Sequence, residues 1–321
     1  MVEMKRDSRI DILRAIAILL IMLAHVKPPE PIQQIRVFDV PLMAILLGMS
    51  FLLSSRASTY IDYVIKRFKR LIIPAWVFLT IFFSLTLLTC IILKATFPYK
   101  LATILTSYSL ISGIGYVWII RVFFTIAIFS PLIYWISVRI TTFFARSATI
   151  LIAMIIQQVL WIIDSNISNI YFSLIFEQLI AITFGYLICA LYGIWLYQYS
   201  KTMQIYSILI YSVPMAILMI VEHLPNLADQ KYPPSMLFLL YGIIVSTVLF
   251  LFVSIVNIDS ILFSWISRYS LELYYWHILP VTFIDFTYPN MEWYWKLIII
   301  ILFSFSVTFL QVKKLPRLFT L

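Results

Sequence analysis

The first hydrophobic segment of the chain is Ser8–His25, SRIDILRAIAILLIMLAH, in which two ionisable side chains bracket an apolar run. Arg14 and His25 are separated by about 1100° of helix, within about 20° of three full turns, and therefore share one face. They lie ~16 Å apart along the axis, one near a membrane surface and the other near mid-bilayer. Because an ionisable group in hydrocarbon costs roughly 2.5–3.5 kcal/mol, such groups normally face a protein interior or a wet cavity. We therefore interpret this face as a pathway leading inward from the surface; the alternative is that Arg14 extends to the lipid headgroups and His25 is a hydrogen-bonded residue of the bundle.

The composition is that of a membrane protein. Of 321 residues, 63% are hydrophobic and 12% are charged, which is more apolar surface than a soluble domain can hide. The net charge of +9 is explained by loops facing anionic lipid or by an anionic ligand, and not by nucleic acid. Six glycines argue against glycine-rich phosphate loops and against helix packing through small residues. Cys90 and Cys189 lie in apolar runs and are expected to pack without forming a disulfide.

Apolar runs long enough to cross a bilayer predict an all-α integral membrane protein with about ten transmembrane helices. The predicted spans are 10–26, 38–54, 71–93, 116–138, 148–163, 173–192, 204–221, 236–257, 271–288 and 295–311. With the N-terminus inside, the inner loops hold 15 Lys and Arg and the outer loops hold 6, which predicts that both termini are cytoplasmic. No repeat or soluble segment interrupts the pattern, so we expect a single transmembrane domain over residues 1–321.

The longest predicted inner loop, 55–70, is rich in basic residues. It favours an amphipathic helix that ends at Arg70, just before the span 71–93. Arg67 and Arg70 are one turn apart and could clamp phosphates with forked, charge-assisted hydrogen bonds. The alternative is that these cations only satisfy the positive-inside rule. The longest predicted outer loop, 94–115, is mildly amphipathic and is a candidate to lie along the membrane interface.

Two further stretches combine aromatic and ionisable residues. Tyr116-Val-Trp118 is typical of an interfacial aromatic belt, but Arg121 falls inside a span and needs an internal partner. Glu177 is the candidate partner by depth, either to staple two helices or to take part in catalysis.

In the stretch SRYSLELYYWH, 267–277, Ser270 is predicted to cap a helix. Glu272 and His277 are five residues apart and point to different faces. The alternative here is a polar helix start followed by an interior histidine.

Taken together, these motifs resemble the acyltransferase-3 family of membrane acyltransferases. The resemblance rests on Ile10-Asp11-x-Leu13-Arg14-x10-His25, Arg67-x-x-Arg70-Leu-x-x-Pro, Gly-Tyr-x-Trp118 and Ser270-Leu-x-x-Tyr274-x-x-His277, over about residues 9–310. It implies transfer of an acyl group, commonly acetyl, from cytoplasmic acyl-CoA to a carbohydrate or similar acceptor that faces outward. Ala15 replaces a glycine that is common after the arginine, and Tyr116-Val-Trp118 is a loose form of the aromatic motif.

The resemblance maps the family's key arginine and histidine onto Arg14 and His25, and its paired arginines onto Arg67 and Arg70. We expect Arg67 and Arg70, helped by Lys66 and Lys69, to hold the phosphates of CoA. His25 then acts as a general base on an acceptor hydroxyl, or accepts the acyl group itself. Arg14 or Arg121 is expected to stabilise the oxyanion. Possible supporting residues are Asp11, Trp118, Arg121, Glu177, Glu272 and His277, and no metal is expected.

The acceptor and the wider function stay open at this point. A bundle without an appended extracytoplasmic domain fits O-acetylation of a capsule, exopolysaccharide or O-antigen unit, or of a lipid-linked precursor, in a bacterial cytoplasmic membrane. The acyl group could also be succinyl. The rival interpretation is a secondary transporter or a lipid-linked glycan flippase, which would also contain buried Arg, Glu and His. A glycan polymerase is a weaker rival because the outer loops are short.

Overall fold

The computed structural model describes residues 7–54, 59–256 and 259–315, and within these ranges all regular structure is helical. In this part of the chain, eight helices are long and apolar enough to cross a membrane, so the protein is an all-α, multi-pass membrane protein. The helices are α1 (Ser8–His25), α2 (Glu30–Arg36), α3 (Asp39–Leu52), α4 (Tyr60–Leu93), α5 (Leu101–Tyr108), α6 (Trp118–Arg139), α7 (Phe143–Ser165), α8 (Ile170–Ile175), α9 (Ile182–Gln198), α10 (Lys201–Val221), α11 (Met236–Val256), α12 (Ile261–Arg268), α13 (Ser270–Thr287) and α14 (Trp293–Lys314).

Each of the ten predicted spans overlaps a described helix. Two of the predicted spans correspond to α1 and α13, which are not among the eight helices long and apolar enough to cross a membrane. Both helices are 18 residues long and carry polar motifs. Residue 257, the predicted end of the eighth span, lies outside the described residues. The number of crossings and the side of each terminus stay predictions.

The chain divides into two compact units. The first comprises Met1–Ser55 and Phe129–Ser270, and the second comprises Arg56–Ile128 and Leu271–Leu321. In the first unit, α3 packs against α1, α9 and α11, and α12 packs against α1. In the second unit, α4 packs against α5 and forms the longest helix.

The pairing of α3 with α9 brings two backbones into contact. A Cβ placed on Gly48 would lie 1.9 Å from the carbonyl oxygen of Ala190, and one on Gly193 would lie 2.1 Å from that of Ile45. The expectation that so few glycines exclude packing through small residues is therefore wrong for this pair. Two glycines on facing helices are enough for the close approach that such packing needs.

The inner loop predicted over 55–70 is not a separate helix. Residues 59–70 form the cap and first turns of α4, which continues without a break to Leu93, while 55–58 lie outside the described residues. Thr59 caps the helix by accepting a hydrogen bond from the Asp62 N–H at 3.2 Å. At 34 residues, α4 is about 51 Å long, well beyond the ~30 Å of bilayer hydrocarbon.

The predicted outer loop 94–115 folds back along α4 and contains the short helix α5, and its place along the membrane interface stays a prediction. Trp76 Nε1 donates to the carbonyl oxygen of Tyr108 at 2.9 Å, and the hydroxyls of Thr80 and Tyr108 are 2.8 Å apart. Tyr99, which precedes α5, packs edge-on against Phe83 with ring centroids 5.5 Å apart. The segment therefore runs beside the middle of α4.

Candidate active site

Hydrogen bonds and charge fix the start of α1 to its neighbours. Asp7 caps the helix by accepting from the Arg9 N–H at 3.0 Å, and its carboxylate accepts from Arg9 Nη2 at 2.7 Å and from the Tyr197 hydroxyl at 2.9 Å. The Arg9 guanidinium lies 4.9 Å from the ring centroid of Phe250. Burial raises the pKa of Asp7, but the hydrogen bonds and charge of Arg9, with the Tyr197 hydroxyl, outweigh it and hold the pKa below its ordinary value.

Arg14, one turn inside α1 from Asp11, is held by two hydroxyl groups. Its Nη2 donates to Ser50 Oγ at 2.7 Å and its Nη1 donates to Ser267 Oγ at 3.2 Å. Ser267 in turn donates to Asp11 Oδ1 at 2.7 Å, and this oxygen is 4.0 Å from Arg14 Nη1. The Asp11 side chain is 4% exposed and that of Arg14 is 22% exposed. A buried carboxylate thus orients a half-buried guanidinium through Ser267, joining α1, α3 and α12.

The face that Arg14 shares with His25 is buried between them. Ile18 and Ile21 lie on this face and are 1% and 5% exposed, whereas both polar ends are half-buried. His25 is the last residue of α1, and Val26 closes the helix. The prediction that this face points away from lipid agrees with the burial of its apolar middle.

The basic residues of α4 have a different environment. Lys66, Lys69 and Arg70 are exposed, and Arg67 is half-buried with its guanidinium 5.0 Å from the ring centroid of Tyr63. They project from consecutive turns of one helix and provide many N–H donors for an anion.

These turns lie beside the middle of α6 and not beyond its end. The Tyr60 hydroxyl donates to the carbonyl oxygen of Ile128 at 3.2 Å, and the rings of Phe68 and Phe124 are 5.8 Å apart. The basic segment therefore runs along an apolar helix, whereas the sequence predicted it in an inner loop before the span 71–93. Cations at such a place normally face a wet cavity or a partner of opposite charge.

The first turns of α13 pack on α4 next to the basic segment. The Glu272 carboxyl is close enough to Arg70 for their charges to interact, and the Tyr275 hydroxyl donates to the carbonyl oxygen of Leu71 at 3.3 Å. His277 is fully buried, and its ring lies 5.2 Å from that of Tyr274. Two of the sequence motifs, one on α4 and one on α13, therefore meet in the second unit.

The aromatic motif before α6 joins the same group. The Tyr274 hydroxyl donates to the carbonyl oxygen of Tyr116, and Trp118 is the first residue of α6. Arg121 lies one turn further along the helix and is 9% exposed. Three stretches singled out in the sequence thus come together through Arg70–Glu272, Leu71–Tyr275 and Tyr116–Tyr274.

Glu177 lies in a π-helical segment, Phe176–Ala181, between α8 and α9. It is half-buried, and its Oε1 accepts from Gln178 Nε2 at 3.1 Å. Single π turns inside α-helices often occur at functional sites. The Arg121–Glu177 pair stays a prediction.

Sequence reasoning missed the residues that hold Arg14. Ser50 and Ser267 are single hydroxyls in mostly apolar helices, and such residues usually bond to their own backbone. The Asp11–Arg14 spacing of one turn could have pointed to a shared partner, but not to Ser267, 253 residues away. Among the described residues, no three His, Cys, Asp or Glu side chains come together as a metal site.

The fold and these polar constellations define a multi-pass membrane protein with ionisable residues inside its helical bundle. A family model described as an acyltransferase domain matches residues 7–312. The chain therefore belongs to the acyltransferase-3 family and is a membrane acyltransferase. Among curated proteins and solved structures, none matches it.

Proposed function

We propose that the protein is an O-acyltransferase of a bacterial cytoplasmic membrane. It transfers an acyl group, with acetyl as the first candidate, from cytoplasmic acyl-CoA to a hydroxyl of a cell-surface polysaccharide or its lipid-linked precursor. The observation that carries the proposal is the buried face of α1, which bears Arg14 at one end and His25 at the other. Family membership supplies the reaction class, and we assign the substrate path to this face of α1.

The donor site is assigned to the start of α4. The CoA phosphates are anionic and are recognised by Arg67 and Arg70, with Lys66 and Lys69 alongside. Most of these cations are exposed, so each contact contributes about 0.5–1 kcal/mol after solvent screening. This supports a site that captures CoA weakly through many contacts.

His25 is assigned the proton transfer. In the direct route, it takes the proton of the acceptor hydroxyl while the oxygen attacks the thioester carbonyl carbon. The tetrahedral intermediate then expels the CoA thiolate, which receives the proton as the free thiol. In the alternative route, His25 is first acylated with loss of CoA thiol, and the hydroxyl then takes the acyl group from the imidazole.

Arg14 is assigned a positioning role. It lies ~16 Å along the helix from His25, too far for both to contact one carbonyl. Its bonds to Ser50 and Ser267 hold the guanidinium in one orientation, which favours a fixed guide for the donor. A transporter or flippase has only the buried charges in its favour, and family membership weighs against it.

The proposal is tested with purified protein and with cells that make it. CoA at 100 times its Kd should stabilise the folded protein by about 2.7 kcal/mol, seen as a raised unfolding temperature. NMR of the surface glycan should show O-acyl groups with the wild type and none with His25→Ala. His223→Ala, an exposed histidine, is the matched control and should retain them.

The two measurements separate binding from chemistry. His25→Ala should still be stabilised by CoA, because the assigned phosphate contacts lie on α4. Absence of any CoA effect on the wild type, or unchanged O-acylation with His25→Ala, would contradict the proposal.

A further inference from the structure

A buried group of three charges lies where α2 meets α3. The Arg36 guanidinium donates to Asp39 Oδ2 at 2.7 Å, and Lys231 Nζ lies 3.7 Å from Asp39 Oδ1. The side chains of Arg36, Asp39 and Lys231 are 8%, 1% and 11% exposed. None of these residues belongs to the motifs of α1, α4, α6 or α13. The group carries two positive charges against one negative charge.

The carboxylate is already satisfied without the lysine. Asp39 Oδ2 accepts from Arg36, and Asp39 Oδ1 accepts from the Val40 N–H at 2.8 Å. Of the other acids in these segments, Glu30 bonds to Asn226 and Glu222 bonds to Gln230, while Asp229 is exposed to solvent. The positive charge of Lys231 is therefore in excess, and an uncompensated charge is costly where little solvent reaches it.

Hydrogen-bond donors are also in excess. Among the described residues, no acceptor lies within hydrogen-bond distance of the Lys231 ammonium, whose nearest ring is that of Tyr232 at 5.5 Å. Arg36 uses three of its five N–H groups, on Gln33 and Asp39. The remaining donors of both cations suit a ligand with several anionic oxygens, such as a carboxylate or a phosphate.

The segment that carries Lys231 is anchored at both ends. Before it, the Leu227 N–H donates to Gln34 Oε1 on α2 at 2.9 Å. After it, Gln157 Nε2 on α7 donates to the carbonyl oxygen of Pro234 at 2.7 Å, and the Met236 N–H donates to Gln158 Oε1 at 2.9 Å. The backbone that carries Lys231 is thus held in place before any ligand arrives, which lowers the entropy cost of binding.

The charge group lies at the His25 end of the first unit. α1 ends at His25, the chain turns through α2, and α3 begins at Asp39 and packs back against α1. The start of α3 is therefore on the same side of this unit as the end of α1. An acceptor that reaches His25 from this side passes near Arg36 and Lys231.

We propose that Arg36 and Lys231, set by Asp39, form an anion-binding site that recognises an acidic group of the acceptor, a carboxylate or a phosphate. The identification of the ligand as the acceptor rests on the proposed function; the anion site itself does not. The acceptor is then an acidic glycan or a phosphate-linked precursor, and a neutral glycan lacks the group that this site selects.

The test is ligand binding to the purified full-length protein in lipid nanodiscs, measured by calorimetry and thermal unfolding. The probes are methyl glucuronide, methyl glucoside as its neutral counterpart, and inorganic phosphate. We expect one of the two anions to bind at least 10-fold more tightly than the glucoside. Preference for the glucuronide identifies a carboxylate in the acceptor, and preference for phosphate identifies a phosphorylated one.

Variants separate the site from general charge effects. Lys231→Met should weaken anion binding at least 10-fold while the ligand-free unfolding temperature is unchanged or higher, because the neutral Arg36–Asp39 pair remains. Lys231→Arg should keep most of the binding, and Lys100→Met, an exposed lysine, should keep all of it. Equal binding of glucoside and anions, no binding of either anion, or wild-type binding by Lys231→Met would overturn the inference.

The outcome is distinguishable from that of the proposed function. Stabilisation by CoA should be the same in Lys231→Met and in the wild type. A wild type that responds to CoA but not to the anions rejects the anion site alone. A wild type that responds to the anions but not to CoA rejects the proposed mechanism and the identification of the ligand as its acceptor, and leaves the anion site itself.

Discussion

Arg14 and the basic segment of α4 present arginine in two different ways. Arg14 is half-buried and bonded to Ser50 and Ser267, and Asp11 sets the geometry from behind. Arg70 is exposed at the surface of a long helix with Lys66 and Lys69 near it. The guanidinium of Arg14 is fixed by hydroxyl groups of two other helices, whereas Arg70 is exposed and interacts with the charge of Glu272 on α13.

The difference separates cations whose function depends on the geometry of the side chain from cations whose function depends mainly on positive charge. A guanidinium fixed by two hydroxyls uses its planar fork, which an ammonium cannot copy. Exposed cations that capture phosphates act mainly as charges, are screened by salt, and can partly replace one another. Lysine replacement should therefore separate the two places.

The largest effect is expected from Arg14→Lys. The lysine keeps the charge but lacks the planar guanidinium that reaches both Ser50 and Ser267. The donor should then be misplaced by about 1 Å, which should lower kcat about 100-fold. Arg70→Lys should change kcat and the KM for acyl-CoA less than about 3-fold. The measurements are steady-state rates of acyl transfer for both variants and the Kd for CoA. The Kd should be unchanged in Arg14→Lys. Equal losses in both variants would remove the distinction between the two arginines.

A smaller effect is expected from removing the α4 charges. The double variant Arg67→Ala/Arg70→Ala should raise the KM for acyl-CoA about 10-fold, from two exposed contacts of about 0.5–1 kcal/mol each, with kcat nearly unchanged. The KM of the wild type should rise with added salt, and that of the double variant should rise less. Lys201→Ala, an exposed lysine on α10, is the control. A fall in kcat at constant KM would argue that these arginines act in the chemical step.

The smallest effect concerns the start of α1. The pKa of Asp7 in the folded protein is below its ordinary value of 3.8, so its charge stabilises the fold above about pH 3.8. This contribution is lost as the pH falls through the lower pKa of the folded state. Asp7→Asn keeps the cap but removes the charge, so it should lower stability by about 0.5 kcal/mol at neutral pH. The difference from the wild type should vanish at acidic pH in denaturant unfolding. A difference that persists below the folded pKa would assign the effect to the cap instead.

Helical periodicity predicted that Arg14 and His25 share one face of α1, and the functional role of this face stays a prediction. The 3.6-residue repeat of a helix fixes which side chains share a side, and the burial of Ile18 and Ile21 agrees with the face deduced from Arg14 and His25. The all-α membrane class follows from hydropathy for the same reason, since a bilayer leaves the backbone few alternatives.

The sequence did not predict where α4 begins or how the segment after it runs. Lys66 to Arg70 interrupt the apolar pattern, but Lys and Arg are good helix formers, so a change of polarity did not end the helix. The return of α5 along α4 depends on contacts such as Trp76 to Tyr108, which join residues 32 apart. Partners of this kind are chosen by tertiary packing, and local sequence carries little signal for them.

The contact between α3 and α9 has a consequence for natural variation in this chain. A methyl group on Gly48 or Gly193 would meet a carbonyl oxygen of the opposite helix, and shortening a side chain cannot relieve a clash with main chain. Relief would need the two helices to separate, and α1, which packs on α3, would shift with them. Homologues that keep this spacing should carry glycine at both positions, which makes the pair a compact marker for aligning more distant sequences.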